Sequence, residues 1–310
     1  QLCPFLSPFF RYGLKMNKKS RKMKWNIDSI YYFCNKFVKP IYITFFVQKS
    51  TYMKGTLYGL LGYPLGHSFS RNYFNNKFEA EDIDAEYINF EIPDINMLME
   101  VISEYYNLNG LNVTIPYKEQ VIPFLDELDE DAANIGAVNV IKIIHKNNDL
   151  ILKGYNSDVV GFCDSISPLI KPHMKKALIL GTGGAAKAVC YGLKKLGIES
   201  QFVSRKKTEN TITYPEINKD IIDEHHIIVN TTPLGMYPNV DDCPDIPYEL
   251  LTEKHLCYDL LYNPDETLFM KNAKGYGATV KNGLEMLLLQ AFVSYEIWNS
   301  WHFVHIKPYL

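Results

Sequence analysis

The chain has 310 residues, with 32 Lys+Arg against 35 Asp+Glu for a net charge of −3, and is 47% hydrophobic and 22% charged. These proportions belong to an ordinary soluble globular protein and exclude a disordered chain, a collagen-like repeat and a coiled coil. Near-neutral charge argues against a dedicated nucleic-acid binder, and the length suits two domains, each able to bury its own core.

Taken in order along the chain, residues 1–52 come first and are strongly basic, with ten Lys and Arg against the single acid Asp28. The remaining 22 basic and 34 acidic residues lie beyond them, so the composition changes sharply near Met53. The first residue is Gln1 rather than Met, and the longest apolar stretch, Pro40 to Val47, is far short of the roughly 20 residues a membrane helix needs. A basic transit segment and upstream sequence with no folded role both fit. The expectation is that residues 1–52 stand outside the fold, that no membrane is involved and that the protein is cytoplasmic.

From Met53 onward, strands are predicted at Leu57–Gly62, Tyr87–Ile92, Leu111–Ile115, Ala137–Ile144, Ala177–Gly181, Ser200–Ser204, Ile227–Thr231, Cys257–Tyr262 and Ala278–Lys281. Helical spacing is found at Phe69–Phe78, Ile95–Tyr105, Ala185–Leu196 and Thr267–Ala273. This alternation predicts an α/β protein with mostly parallel strands. The six cysteines form no C-x-x-C pair and the eight histidines no metal-like spacing, so no metal is expected and the cysteines read as reduced.

The apolar run Leu178-Ile179-Leu180 passes directly into Gly181-Thr182-Gly183-Gly184-Ala185-Ala186 and then a helix-forming stretch. This is a G-x-G-x-x-G/A turn with Ala186 in the third place. Gly181 permits the turn, Gly183 lets backbone approach a pyrophosphate, and the helix N-terminus presents free N–H groups to the phosphates. A plain tight turn is the other reading. The next strand ends at Ser204-Arg205-Lys206-Lys207, where an NAD enzyme usually places an acid for the ribose 2′-hydroxyl. Cations there suit a 2′-phosphate and predict NADP, against the alternative of a solvated basic turn.

Short polar residues cluster at the ends of other predicted strands: Gly62-Tyr63-Pro64-Leu65-Gly66-His67-Ser68-Phe69-Ser70, Leu111-Asn112-Val113-Thr114-Ile115-Pro116-Tyr117-Lys118-Glu119, Ile135-Gly136-Ala137-Val138-Asn139 and Gly154-Tyr155-Asn156-Ser157-Asp158. Open α/β sheets bind ligands at such places. With Ile228–Met236 and Asn282–Gln290, these segments resemble the shikimate dehydrogenase family over about Met53 to Asn299.

The resemblance implies a Rossmann-like nucleotide domain, the cofactor NADP and reversible reduction of 3-dehydroshikimate to shikimate. Ser68 and Ser70 resemble the hydroxyl pair on the substrate carboxylate. Thr114, Asn139 and Gln290 resemble groups bonding its hydroxyls or carboxylate, and Tyr262 a tyrosine lining the pocket. Lys118 and Asp158 are similar to the catalytic pair, with Asp158 also touching a substrate hydroxyl. Gly181, Gly183, Gly184 and Ala185 would face the pyrophosphate, and Ser204, Arg205 and Lys206 the 2′-phosphate. Thr231, Met236 and Gly283 would lie on the nicotinamide side.

The sequence departs from the family pattern in places. Arg71 stands for a proline, Phe74 for a histidine, Val140 and Ser157 for threonines, and Ser204-Arg205-Lys206 for Asn-Arg-Thr. Taken singly, each site residue also has a plain structural reading. Ser70 could cap the helix after it, the asparagines could be turn residues, Lys118 a solvated charge and Asp158 an N-cap.

The expected organisation is a substrate domain at 53–157 completed by a C-terminal helix at 284–299, a nucleotide domain at 158–283 and a tail at 300–310. The expected partner is a small-molecule substrate, and the chain a monomer or homodimer. Other readings are a quinate/shikimate dehydrogenase using NAD or NADP, and a nucleotide-binding regulator without catalysis.

Overall fold

The alternating runs form two sheets in the computed structural model, which describes residues 55–66, 69–146 and 149–299. The expectations placed on residues 1–52, on Ser68 and on the tail 300–310 lie outside the described residues. The first sheet holds β1 (Thr56–Gly62), β2 (Ala85–Glu91), β3 (Leu108–Val113), β4 (Glu127–Leu128), β5 (Val140–Lys146) and β6 (Asp149–Tyr155). Their order is β2-β1-β3-β5-β6-β4. β1 runs parallel to β2 and β3, whereas β5 is antiparallel to both β3 and β6.

The parallel alternation expected from sequence is therefore broken by a hairpin. Periodicity missed β6 because its charged residues interrupt the apolar run, although Lys153 is buried and paired with Glu127 at 2.9 Å. The strand predicted at Leu111–Ile115 begins three residues earlier, at Leu108. Its interior glycine, Gly110, lies under the Trp298 indole, where an added Cβ would come within 2.3 Å of ring atoms.

The second sheet holds β7 (Lys176–Leu180), β8 (Glu199–Ser204), β9 (Thr211–Thr213), β10 (Ile227–Asn230), β11 (Leu256–Asp259) and β12 (Thr279–Lys281), in the order β12-β11-β10-β7-β8-β9 and all parallel. From the other edge, in chain order, this is 3-2-1-4-5-6, the doubly wound arrangement whose direction reverses between its first and fourth strands. Those two strands are β7 and β10, and open α/β sheets bind ligands beyond the C-terminal ends of the strands at such a reversal.

Helices cover both sheets. α1 (Phe69–Ala80) follows β1 and α2 (Leu98–Glu104) follows β2; the short α3 (Tyr117–Gln120) follows β3 and α4 (Glu130–Ile135) follows β4. α5 (Asp158–Ile166) leads from β6 toward β7, α6 (Gly184–Lys195) joins β7 to β8, α7 (Lys219–Glu224) precedes β10 and α8 (Leu268–Gly275) precedes β12. α9 (Leu284–Asn299) closes the described fold. In β7 the residues Ala177, Leu178, Ile179 and Leu180 are all fully buried. Ala177 and Ile179 pack with α5 and α6, while Leu178 and Leu180 pack with α7 and α8. A strand covered on both faces reads as one continuous apolar run, which is why this one was plain in the sequence.

Candidate active site

Lys118 lies in α3, immediately after the C-terminal end of β3. Its neighbour Tyr117 is buried and donates its hydroxyl to the Ile92 carbonyl at 2.6 Å, which fixes this one-turn helix against the sheet. Asp158 is the first residue of α5. The two are forty residues apart in the chain, yet Lys118 Nζ donates to Asp158 Oδ2 at 2.6 Å. Their side chains are only 16% and 8% exposed. Lys118 is thus not a solvated surface charge, and the Asp158 carboxylate serves as partner to a cation rather than as a helix cap.

The other Asp158 oxygen, Oδ1, accepts from Asn139 Nδ2 at 2.9 Å. Asn139 also donates to Ser157 Oγ at 2.9 Å, and its carbonyl oxygen accepts from the Ser157 backbone N–H at 2.7 Å. Both amide hydrogens of Asn139 are therefore used within the protein. The network continues to Ser294 on α9, 3.1 Å from Ser157 Oγ, and from Ser294 to Asn112 and Tyr87. Sequence reading assigned no role to Tyr87, Asn112, Ser157 or Ser294. Asn112 stood in a quoted motif and Ser157 as a substitution, but Ser294 lies in an apolar helix with no local signal.

Of the expected substrate-side residues, Ser70 sits inside the first turn of α1, which begins at Phe69, so Ser70 is not the helix cap. Its hydroxyl hydrogen-bonds the phenol of Tyr87, whose titration is pushed well above the usual tyrosine range by complete burial. Tyr262, half-buried, meets Phe69 edge-on with ring centroids 5.7 Å apart. This brings the loop after β11 to the start of α1. Thr114 follows β3, and its backbone N–H donates to the Leu61 carbonyl at 2.9 Å. Gln290 is not drawn to the pair: its amide Nε2 donates to Leu287 in its own helix at 2.8 Å.

On the nucleotide side, Gly181 follows β7 directly with φ +115, a conformation that suits glycine. A Cβ there would also lie 2.6 Å from the Thr231 hydroxyl, which donates to the Leu180 carbonyl at 2.7 Å. Gly183 is the N-cap of α6, makes no side-chain cap bond and has open space where a Cβ would be. Gly184 follows, and a Cβ on it would be 3.0 Å from the Lys118 Cβ. The glycine turn therefore lies directly beside the Lys118–Asp158 pair. Ala185 is the second residue of the helix, and Ala186 is fully buried beneath.

Ser204 Oγ accepts from the Lys206 backbone at 3.3 Å. Lys207 is engaged by Glu216. Arg205 and Lys206 are exposed at the end of β8 and hold no ion pair among the described residues. Met236 is 47% exposed on the loop after β10. Gly283 bonds Leu261 at 2.9 Å so closely that a Cβ would strike the Leu260 carbonyl. An uncapped helix start, an unfilled space at Gly183 and two exposed cations at the next strand end fit a dinucleotide carrying a 2′-phosphate.

The family model for the shikimate dehydrogenase substrate binding domain matches residues 60–141. The shikimate dehydrogenase (NADP(+)) of Desulforamulus reducens is 36% identical over 267 residues, covering 78% of this chain and 89% of that protein. The chain belongs to the shikimate dehydrogenase family. Among solved structures of the family, a chorismate mutase/shikimate 5-dehydrogenase fusion protein from Clostridium acetobutylicum superposes with TM-score 0.70 at 36% identity, covering 80% of this chain and 92% of that one. The shikimate 5-dehydrogenase of Thermus thermophilus, solved in complex with NADP(H) and shikimate, superposes with TM-score 0.69 at 27% identity, covering 79% and 93%. The two-part α/β fold expected from sequence is that of these enzymes.

Proposed function

We propose that this chain is an NADP-dependent oxidoreductase that interconverts 3-dehydroshikimate and shikimate. The observation that carries the reading is the Lys118–Asp158 pair at 2.6 Å with the glycine turn against the Lys118 stem. Reducing a ketone places negative charge on its oxygen. An ammonium within hydrogen-bond reach stabilises that charge and can pass a proton to it. In the reverse direction the same nitrogen takes the hydroxyl proton. Asp158 holds Lys118 on target through Oδ2, while Asn139 holds Asp158 through Oδ1.

NADPH bound at the glycine turn would supply the hydride. Gly181, Gly183, Gly184 and Ala185 would face its pyrophosphate, Ser204, Arg205 and Lys206 its 2′-phosphate, and Thr231, Met236 and Gly283 its nicotinamide side. Ser68 and Ser70 would take the substrate carboxylate and Thr114 and Gln290 its other oxygens, with Tyr262 closing the pocket. Asn139 already spends both amide hydrogens internally, so we assign it first to holding Asp158.

In this reading 53–157 with 284–299 binds substrate and 158–283 binds nucleotide. The substrate is a small molecule, and no helix among the described residues is long and apolar enough to cross a membrane. The free thiols of Cys163, Cys190, Cys243 and Cys257 suit a reducing compartment such as the cytoplasm.

The purified chain should reduce NADP+ in the presence of shikimate, with kcat/KM at least about tenfold above that with NAD+, as a guanidinium–phosphate contact would give. Quinate in place of shikimate tests the substrate. Absence of turnover on shikimate with either cofactor overturns the reading.

A further inference from the structure

We propose that Ser294 is a positioning residue for the Lys118–Asp158 pair, setting its aim through a one-way chain of buried hydrogen bonds; this deepens the function proposed above and rests on it. A serine hydroxyl has one proton to give and lone pairs to receive. Ser294 spends its proton on the Gln290 carbonyl, one turn back on α9, at 2.7 Å. Whatever else reaches its oxygen must therefore donate. Asn112 Nδ2 arrives at 2.9 Å and Ser157 Oγ at 3.1 Å.

Those assignments propagate outward in both directions. Tyr87 donates its hydroxyl to Asn112 Oδ1 at 2.8 Å, which turns the amide nitrogen of Asn112 toward Ser294. Ser157, having given its proton to Ser294, offers a lone pair to Asn139 Nδ2 at 2.9 Å. The remaining amide hydrogen of Asn139 then goes to Asp158 Oδ1 and so fixes the carboxylate that holds Lys118. Ser294 and Ser157 are fully buried, and Asn112, Asn139 and Asp158 nearly so. Water cannot substitute for a missing member, and each bond polarises the next. Ser294 is where three separate parts of the chain meet: β3 through Asn112, the turn into α5 through Ser157, and α9 itself.

Without the Ser294 hydroxyl, the nearest remaining acceptor for the Ser157 proton is Asn139 Oδ1 at 3.3 Å. That atom already takes the Ser157 backbone N–H. Turning there pulls the Ser157 lone pair away from Asn139 Nδ2 and loosens the hold on Asp158. Of the groups expected to bind substrate in the ground state, Ser70 meets only the far end of this hydrogen-bond chain, at Tyr87; Asn112 keeps its bonds to Tyr87 and to the Asn139 carbonyl when the Ser294 hydroxyl is lost. The loss should therefore fall on the step in which charge develops beside Lys118.

The test is steady-state kinetics of shikimate oxidation by the full chain and by Ser294→Ala, Ser157→Ala and the double variant, with thermal melts of each. Ser294→Ala should lower kcat by roughly 5- to 20-fold while both KM values change less than about twofold, the pattern of an interaction used only in the transition state. Ser157→Ala should behave alike, and the double variant should be no slower than the slower single, since residues in one network do not add. A lower melting temperature with kcat within about twofold of the parent overturns the proposal and leaves a purely structural serine; losses that multiply in the double variant also overturn it. Should Ser294→Ala not fold, Ser294→Cys keeps the volume with a weak acceptor and is judged by the same kcat and KM pattern. A parent active on shikimate with silent variants defeats this inference alone; a parent inactive on shikimate defeats it together with the function proposed above.

Discussion

An ammonium and a carboxylate 2.6 Å apart and mostly buried contribute little net stability, because desolvating both offsets most of their attraction. The pair makes better sense as chemistry than as a structural brace. Lys118→Ala should lower kcat for shikimate oxidation by about 10²-fold or more, the usual scale for losing a general acid–base group. Stability should fall as well, by about 3 kcal/mol, because the nearly buried Asp158 carboxylate loses its cation and keeps only its bond from Asn139; the loss in kcat should exceed what that destabilisation explains in protein that remains folded. Circular dichroism melts beside the kinetic assay check both halves, and near-parental turnover would remove Lys118 from its role. At this scale the sequence was informative where a residue sat in a short polar motif, as Lys118, Asn139 and Asp158 do. Ser294 and Tyr87 could not be found that way, because what makes them polar partners is their arrival from other strands and helices.

The turn after β7 depends on one backbone conformation. Gly181→Ala would force a side chain into φ +115 and against the Thr231 hydroxyl, at a cost of about 1–3 kcal/mol. Urea denaturation should show that loss, and if the turn faces the cofactor phosphates as proposed above, the KM for NADP+ should rise with it. At the end of β11, burial pushes the Asp259 carboxyl up from 3.8 to about 6 despite bonds from Thr267, Leu261 and Asn230. Between pH 4 and 6 the native state then holds a proton that the unfolded chain has released. The stability this group lends is present below about pH 4 and is lost as pH rises through about 6. Compared with Asp259→Asn, the parent should lose on the order of 3 kcal/mol more across that window in urea melts; parallel curves would mean the carboxylate is already ionised when folded. The elements legible in advance were those with one dominant physical cause, such as the doubly covered β7 and the glycine start of α6. The β5–β6 hairpin was not, since its charges find partners only after folding, as Lys153 does with Glu127.

In the whole molecule, α9 touches both sheets. Its early residue Met286 joins the core of the second sheet, while Trp298 near its end stacks on Tyr58 of β1 at 4.7 Å. The indole also covers Gly110 and donates to the Ile141 carbonyl at 3.1 Å. α9 further packs along α5, where Gly161 lets the Met286 and Gln290 backbone come close. Trp298→Ala should cost about 3–5 kcal/mol and lower the melting temperature by roughly 10 °C. Calorimetry checks this, and a shift of only a degree or two would show that α9 is held elsewhere.

By itself the sequence determined the layered α/β class, the glycine turn that starts α6 and most of the polar residues at strand ends, because apolar periodicity, glycine geometry and helix-start chemistry act over a few neighbouring residues. The tertiary structure alone decided which polar groups meet. That Lys118 reaches Asp158 across forty residues, and that Ser294 comes from the far end of the chain to complete their network, depends on sheet order and helix packing. Both are settled by how the whole chain buries its apolar surface, which no short window contains.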